Sequence, residues 1–130
     1  MIKNVQQAAT CFPEESIVDV AKKLSQEERR QVYVVNQNVQ LLGIVTREAL
    51  ITCLKQTAER DPKIIPAKEI MDEITSVAMD DEPETVMELM MKYHTTECPV
   101  VKEGILIGCI SYRDVLYQII EKKDGEMSKN

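Results

Sequence analysis

The sequence is poor in the residues and patterns that mark catalysis, export or membrane insertion. It has one histidine, four glycines and no G-x-x-x-x-G-K-[ST] pattern. Neither a histidine-based nucleophile pair nor a glycine-rich phosphate loop is therefore indicated. The longest apolar run, Ile105–Ile110, contains Gly108 and is far shorter than the roughly 20 residues of a membrane helix. The N-terminus has no signal-peptide core, so we expect a non-catalytic chain in the cytoplasm.

The four cysteines form no pattern typical of a metal site. Cys11, Cys53, Cys98 and Cys109 include no C-x-x-C pair. His94 precedes Cys98 by four residues, but two ligands do not make a structural zinc site. We expect no metal ion and four reduced, mostly buried thiols.

Composition allows one compact domain, or two halves that share a core. The chain has 130 residues, of which 44% are hydrophobic and 29% are charged, so a core can form. Sixteen Lys and Arg against 22 Asp and Glu give a net charge of −6, which disfavours general binding of nucleic acid. This balance leaves room for one small anion held by a local cluster of donors.

The chain contains two copies of one pattern. Each copy reads as a short strand, an amphipathic helix, two strands and a closing helix. One β-α-β-β-α unit has too small a core to be stable alone, so we expect an α+β sandwich of two repeats related by pseudo-twofold symmetry. The aligned blocks are 9–24 with 78–93, 32–35 with 98–101, and 41–50 with 106–115.

The repeats predict the boundaries and the helix starts. Ser16-x-x-Asp19 and Thr85-x-x-Glu88 resemble capping boxes. A polar tail follows the second copy and is expected to fray. The predicted segments are copy one at 1–56, a linker at 57–66, copy two at 67–121 and the tail at 122–130.

Copy two contains a set of residues that matches a known family: Ile70-Met71, Val77, Asp81, the helix from Thr85, Cys98–Val101 and Gly108–Asp114. By this set, the second copy resembles the CBS domain, named after cystathionine β-synthase. Copy one matches more weakly, with Tyr33 where the family often has Pro and Ala49 where it often has Asp. Together the copies resemble a Bateman module, a CBS pair, over residues 1–121.

The resemblance implies a stand-alone regulatory module without a catalytic cofactor. Its ligand would be an adenosyl compound (AMP, ADP, ATP or S-adenosylmethionine), and its signal would pass to a protein partner. Such modules commonly form homodimers, and an apolar face with Leu116, Ile119 and Ile120 on the closing helix favours one here. The alternative is a structural dimerisation module that has lost nucleotide binding, which Ala49 and the net charge of −6 favour.

The family signature Gly-h-h-Ser/Thr-x-x-Asp lies where the last strand meets the closing helix. A helix N-terminus offers unpaired N–H groups and a positive dipole end to a phosphate. By the resemblance, Ser111 donates its hydroxyl and Asp114 accepts from both hydroxyls of a ribose. Copy one keeps Thr46 but has Ala49 at the Asp position. The resemblance thus implies one competent ribose site and one impaired or empty site.

Two alternatives stay open at this site. Ser111-x-x-Asp114 is also a capping box, and both roles can hold at once. Arg30 either approaches the ligand or, with Arg29, ends a helix whose dipole favours cations. By the resemblance, the Asp114 site is also lined by Gln7, Ala8, Ala9, Arg30, Gln31 and Thr96. With Thr46, Cys109, Ser111 and Asp114 they make up the full set of implied site residues.

Overall fold

A computed structural model describes residues 1–56 and 59–128 of the protein. Helices and strands follow the predicted order, except that the first strand of copy two is reduced to a single bridge, and the mixed α and β fold with tandem repeats is confirmed. A short 3-10 helix, Pro62–Ile64, lies in the predicted linker. The elements are β1 (Thr10–Cys11), α1 (Ile17–Gln26), β2 (Gln31–Val35), β3 (Leu41–Thr46), α2 (Arg47–Gln56), α3 (Ala67–Ile70), α4 (Pro83–Lys92), β4 (Glu97–Lys102), β5 (Ile105–Ser111) and α5 (Tyr112–Ser128).

The chain folds as two compact units, each built from more than one stretch of sequence. We name them after the signature residues that they contain. The Asp114 unit consists of Met1–Gln7, Thr75–Glu103 and Ile107–Asn130. The Thr46 unit consists of Ala8–Ile74 and Gly104–Leu106.

The Thr46 unit has a three-stranded sheet in the order β1-β2-β3. β1 runs parallel to β2, and β2 runs antiparallel to β3. The predicted cap at Ser16 is confirmed, because its hydroxyl accepts from the Asp19 N–H. Ile17, Val20, Ala21 and Leu24 have the spacing of one apolar helix face, and of these four only Ala21 is exposed. The core cluster of this unit is Ala9, Cys11, Ile17, Val20, Leu24, Val32, Val34, Val45, Leu50, Cys53, Ile65 and Ala67.

The Asp114 unit has a two-stranded sheet, β4-β5. The strand predicted at Val77 is only a single parallel bridge, Val77 to Val100. The predicted cap at Thr85 is wrong, because Pro83 starts α4 two residues earlier and fixes the helical φ there. The core cluster of this unit is Ile2, Val77, Val86, Met90, Cys98, Val100, Ile110 and Val115.

The first seven residues complete the Asp114 unit. Ile2 is fully buried, and its N–H donates to the Met79 carbonyl. The side-chain amide of Gln118 bonds both the N–H and the carbonyl of Lys3, at 2.9 and 2.7 Å. Gln6 and Cys109 exchange a pair of backbone hydrogen bonds of 2.8 and 2.9 Å. The segment Met1–Gln7 is therefore held in the Asp114 unit by backbone hydrogen bonds as well as by the burial of Ile2.

The closing helix of the second copy is longer than the sequence pattern predicts. α5 continues to Ser128, into the polar tail predicted at 122–130, and the expected fraying of that tail stays a prediction. Lys122, inside this extension, lies 3.5 Å from carboxylate oxygens of both Glu82 and Glu84. Among the helices within 1–56 and 59–128, none combines the length and the apolarity needed to cross a bilayer.

Candidate functional site

The junction between β5 and α5 brings Ser111 and Asp114 into contact. The Ser111 hydroxyl accepts a hydrogen bond from the Asp114 N–H at 3.4 Å and donates one to Asp114 Oδ2 at 3.2 Å. Ser111 thus caps the helix, as one of the two predicted roles requires. An ionised carboxylate has about four lone-pair sites, so Asp114 keeps acceptor capacity beyond this one bond.

Thr96 lies beside this junction. The N–H of Tyr112, the first residue of α5, donates to the Thr96 carbonyl at 2.9 Å. This bond fixes the start of α5 against the start of β4. Thr96 is exposed, whereas Ser111 and Asp114 are half-buried. The three side chains therefore border one accessible corner of the Asp114 unit.

Cys109 extends the same surface toward the N-terminal segment. Its Sγ lies 3.3 Å from Glu97 Oε1 and 3.8 Å from the Gln7 carbonyl oxygen. Cys98 follows Glu97, and Ile110 follows Cys109. Both belong to the core cluster of the Asp114 unit, on the face of the sheet that α4 and α5 cover, which we call the helix-side core. Because side chains alternate along a strand, Glu97, Cys109 and Ser111 share the opposite face of the sheet.

Glu97 is a residue of this surface that the sequence analysis missed. It aligns with Gln31 of copy one, which was predicted, so the repeat itself contained the signal. Its carboxylate, together with burial, raises the pKa of the neighbouring Cys98 thiol to about 11, with burial the larger cause. Cys98 is therefore a protonated core residue at neutral pH.

Gly108 of the signature has a structural role. A Cβ at this position would lie 2.5 Å from the Gln6 carbonyl oxygen and 2.5 Å from a methyl group of Val5. Gly43, the matching residue of copy one, would meet the Asp72 carbonyl oxygen at 2.8 Å. In both units another backbone segment pairs across the strand at this point, and only glycine leaves room for it.

The second group of predicted residues meets at the matching junction of the Thr46 unit. The Thr46 hydroxyl accepts from the Ala49 N–H at 3.1 Å and so caps α2. The Arg30 carbonyl accepts from the Arg47 N–H at 3.0 Å, as the Thr96 carbonyl does for α5. Gln31 lies directly opposite Thr46 in the sheet. Arg30 follows the end of α1 at Gln26 by four residues, so it does not end that helix.

The ten predicted residues belong in equal numbers to the two units, although the resemblance implied that Ala8, Ala9, Arg30 and Gln31 line the Asp114 site. Gln7, Thr96, Cys109, Ser111 and Asp114 belong to the Asp114 unit. Ala8, Ala9, Arg30, Gln31 and Thr46 belong to the Thr46 unit, where the Ala9 carbonyl accepts from the Tyr33 N–H at 2.9 Å. Their predicted contribution to an adenosyl site stays a prediction.

Two cavities of the Thr46 unit lie away from these residues. One, of about 330 Å³, is bordered by α1, Leu54 and Pro62. The other, of about 680 Å³, lies between Phe12–Glu15 and the turn Asn36–Asn38. In the described ranges, no three His, Cys, Asp or Glu side chains are grouped as a metal site would need. All four cysteines are buried, and none of them forms a disulfide bond.

Comparison with known proteins identifies the repeats. The family model for the CBS domain matches residues 1–56 and 67–121. The uncharacterized protein MK0525 of Methanopyrus kandleri is 28% identical over 109 residues, which is 82% of this chain. The chain spans only 55% of the length of that curated relative.

Solved structures share the fold. The CBS-domain containing protein ATU1752 from Agrobacterium tumefaciens aligns with a TM-score of 0.73 at 23% identity, covering 86% of this chain and 84% of that one. The CBS domain pair of protein MJ0100, in complex with 5′-methylthioadenosine and S-adenosyl-L-methionine, aligns with a TM-score of 0.74 at 22% identity. That alignment covers 88% of this chain and 92% of the other.

Proposed function

Because the chain belongs to the CBS domain family and is a CBS pair, a regulatory module, we propose that it senses an adenosyl ligand. AMP, ADP, ATP and S-adenosylmethionine are the candidates, and the bound state signals to a protein partner through a change of shape or of dimer geometry. One observation carries the proposal: Ser111 and Asp114 are in contact at the exposed start of the 17-residue helix α5.

The chemistry of this junction suits a nucleoside. Asp114, one turn into the helix, accepts hydrogen bonds from the 2′ and 3′ hydroxyls of a ribose, and charge-assisted bonds of this kind are the strong ones. The positive end of the α5 dipole favours a phosphate or carboxylate on the same ligand. The neighbouring Gln7 carbonyl, Glu97 and Thr96 offer further acceptors on the same unit.

The structure of MJ0100 with two adenosyl compounds supports the ligand class, because its CBS pair has the same fold as this chain. The sequence adds one difference between the repeats: Asp114 in copy two and Ala49 in copy one. We therefore propose about one adenosyl ligand per chain, bound at the Asp114 junction.

A second candidate function is a structural dimerisation module without a ligand. The mutual bonds of Ser111 and Asp114 favour it, because a helix cap explains both of them without a nucleotide. The net charge of −6 also opposes anionic nucleotides.

Thermal unfolding with each candidate ligand separates the two functions. A ligand present at 100 times its Kd stabilises the folded state by about 2.7 kcal/mol. We expect AMP, ATP or S-adenosylmethionine to raise the Tm of the parent protein and to leave that of Asp114→Ala much less changed. If none of them moves the Tm of the parent at millimolar concentration, the structural function is correct and the sensing function is wrong.

We also propose a homodimer in the cytoplasm that catalyses no reaction. Leu116, Tyr117 and Ile120 of α5 are between 44% and 60% exposed, a larger apolar face than a small monomer needs. Ile119, which the sequence predicts for the same face, packs instead against the core of the Asp114 unit. Buried thiols without disulfides fit a reducing compartment. Sedimentation at tens of micromolar is expected to give a dimer for the parent and a shift toward monomer for Leu116→Glu. A monomeric parent at that concentration would contradict the dimer.

A further inference from the structure

The geometry points to Tyr33 as a residue whose ring fills the space that a ligand would need at the copy-one junction. Thr46, together with an Asp introduced at position 49, is therefore not enough to bind an adenosyl ligand. The inference rests on the proposed function. It attributes the binding of only one ligand per chain to Tyr33, which lies outside the Gly-h-h-Ser/Thr-x-x-Asp signature. The competing explanation is that Ala49 alone disables copy one, in which case Ala49→Asp is sufficient to restore it.

Tyr33 lies on the same face of the sheet as Thr46. Val32, Val34 and Val45 pack into the helix-side core of the Thr46 unit. Because side chains alternate along each strand, Tyr33 of β2 and Thr46 of β3 both lie on the other face. The Cα pairs Gln31 with Thr46 and Tyr33 with Ile44 place Tyr33 one step along that face from the junction.

The Tyr33 side chain is held next to the junction. The Gln31 side-chain amide donates to the Tyr33 hydroxyl at 2.7 Å, and Gln31 is the residue directly opposite Thr46. Tyr33 is fully buried, and its backbone N–H is fixed by the Ala9 carbonyl. The ring therefore occupies volume beside Thr46, and its hydroxyl is bonded to the side chain directly opposite Thr46.

Copy two has smaller side chains at the two matching positions. Pro99 aligns with Tyr33, and Cys109 aligns with Ile44. A pyrrolidine and a thiol fill less of the face beside Ser111 than a phenol and a branched butyl group fill beside Thr46. A ligand at the copy-one junction would have to expel a packed aromatic ring, which is costly because large buried side chains contribute most to packing.

Calorimetric titration of three variants tests the inference, using whichever of AMP, ATP and S-adenosylmethionine binds the parent. We expect Ala49→Asp to bind about one ligand per chain, like the parent. The double variant Ala49→Asp with Tyr33→Val is expected to bind about two. The matched control, Ala49→Asp with Tyr33→Phe, keeps the ring and is expected to bind about one.

Two outcomes overturn the inference while leaving the proposed function intact. One is two sites in Ala49→Asp alone, which would make Tyr33 irrelevant. The other is a single site in the Tyr33→Val double variant, with the Asp114 junction still binding and so reporting a folded chain. If the parent binds none of the three compounds, the proposed function is wrong and this inference fails with it.

The reciprocal change keeps the test decisive if Tyr33→Val unfolds the protein. Pro99 is buried in β4, and Pro99→Tyr transfers the copy-one residue to copy two. We expect Pro99→Tyr to weaken binding at the Asp114 junction by at least about tenfold, whereas the smaller control Pro99→Val keeps it. Equal affinities of Pro99→Tyr, Pro99→Val and the parent would overturn the inference.

Discussion

The two repeats build the same strand-to-helix junction and differ in what surrounds it. Ser111 and Thr46 each cap the following helix through their hydroxyls. Gly108 and Gly43 each admit a second backbone segment at the preceding strand. The neighbours differ: copy two has Pro99, Cys109 and Asp114 where copy one has Tyr33, Ile44 and Ala49.

This comparison separates the residues that build the fold from those that we propose to select a ligand. The caps and the glycines satisfy backbone groups and close approaches, so they are needed in both copies whether or not a ligand binds. The carboxylate of Asp114 and the smaller neighbours at 99 and 109 are not needed for either purpose. We therefore expect the proposed difference in ligand binding between the copies to depend on these three positions.

The largest effect is expected where the N-terminal segment enters the Asp114 unit. Ile2 is fully buried in the core of that unit, so Ile2→Ala should lower the free energy of unfolding by about 2–5 kcal/mol. Ile64→Ala is the control, because Ile64 is 71% exposed and its loss should cost less than about 0.5 kcal/mol. Chemical denaturation measures both, and equal costs would mean that the first seven residues do not complete the unit.

A somewhat smaller effect is expected at the signature glycine. Gly108→Ala forces a Cβ against the Gln6 carbonyl and should cost about 1–3 kcal/mol, the range of overpacked cores. Gly125→Ala is the control: it lies in α5 with no atom within 4 Å of the added Cβ, and should stabilise by about 0.5–1 kcal/mol. A stabilising Gly108→Ala would show that the segment Met1–Gln7 does not approach β5 as described.

The smallest effects are expected at the caps, where the two copies should respond alike in stability and differently in binding. Ser111→Ala and Thr46→Ala each remove one cap bond and should cost about 0.5–2 kcal/mol of stability. Only Ser111→Ala should weaken the binding of an adenosyl ligand, by up to about tenfold, because a neutral hydrogen bond contributes about 0.5–1.5 kcal/mol. Calorimetry measures the ligand affinity, and denaturation measures the stability. Weaker binding in Thr46→Ala as well would mean that copy one contributes to the ligand site.

The order of the elements was predictable because both copies show the same local patterns. The buried positions Ile17, Val20 and Leu24 of α1 follow helical spacing, and the hairpin strands follow their apolar runs. The cap at Ser16 was also readable, since capping depends on residues only three apart. Helical spacing and capping depend on residues that are close together in the chain, so the sequence alone predicts them.

The features that the sequence did not predict depend on contacts between distant residues. Nothing near Ile2 indicates that it packs with Met79, because the pairing depends on a partner more than 70 residues away. The burial of Tyr33 and the contact between Glu97 and Cys109 are likewise products of sheet register. Within the site, the sequence predicted the Ser111–Asp114 contact. The contacts of the neighbouring residues follow from the register of the strands, which the sequence did not predict.

Calorimetric titration of the parent, Asp114→Ala and Asp19→Ala with AMP, ATP and S-adenosylmethionine tests the central claim most directly. Asp19 follows the cap Ser16 as Asp114 follows Ser111, so it controls for loss of a carboxylate in the first turn of a helix. We predict about one ligand per parent chain, with affinity unchanged in Asp19→Ala. In Asp114→Ala we predict binding about 10- to 150-fold weaker, which corresponds to the roughly 1.5–3 kcal/mol of a charge-assisted bond. Two equal tight sites in the parent, or unchanged affinity in Asp114→Ala, would contradict the assignment of ligand binding to copy two.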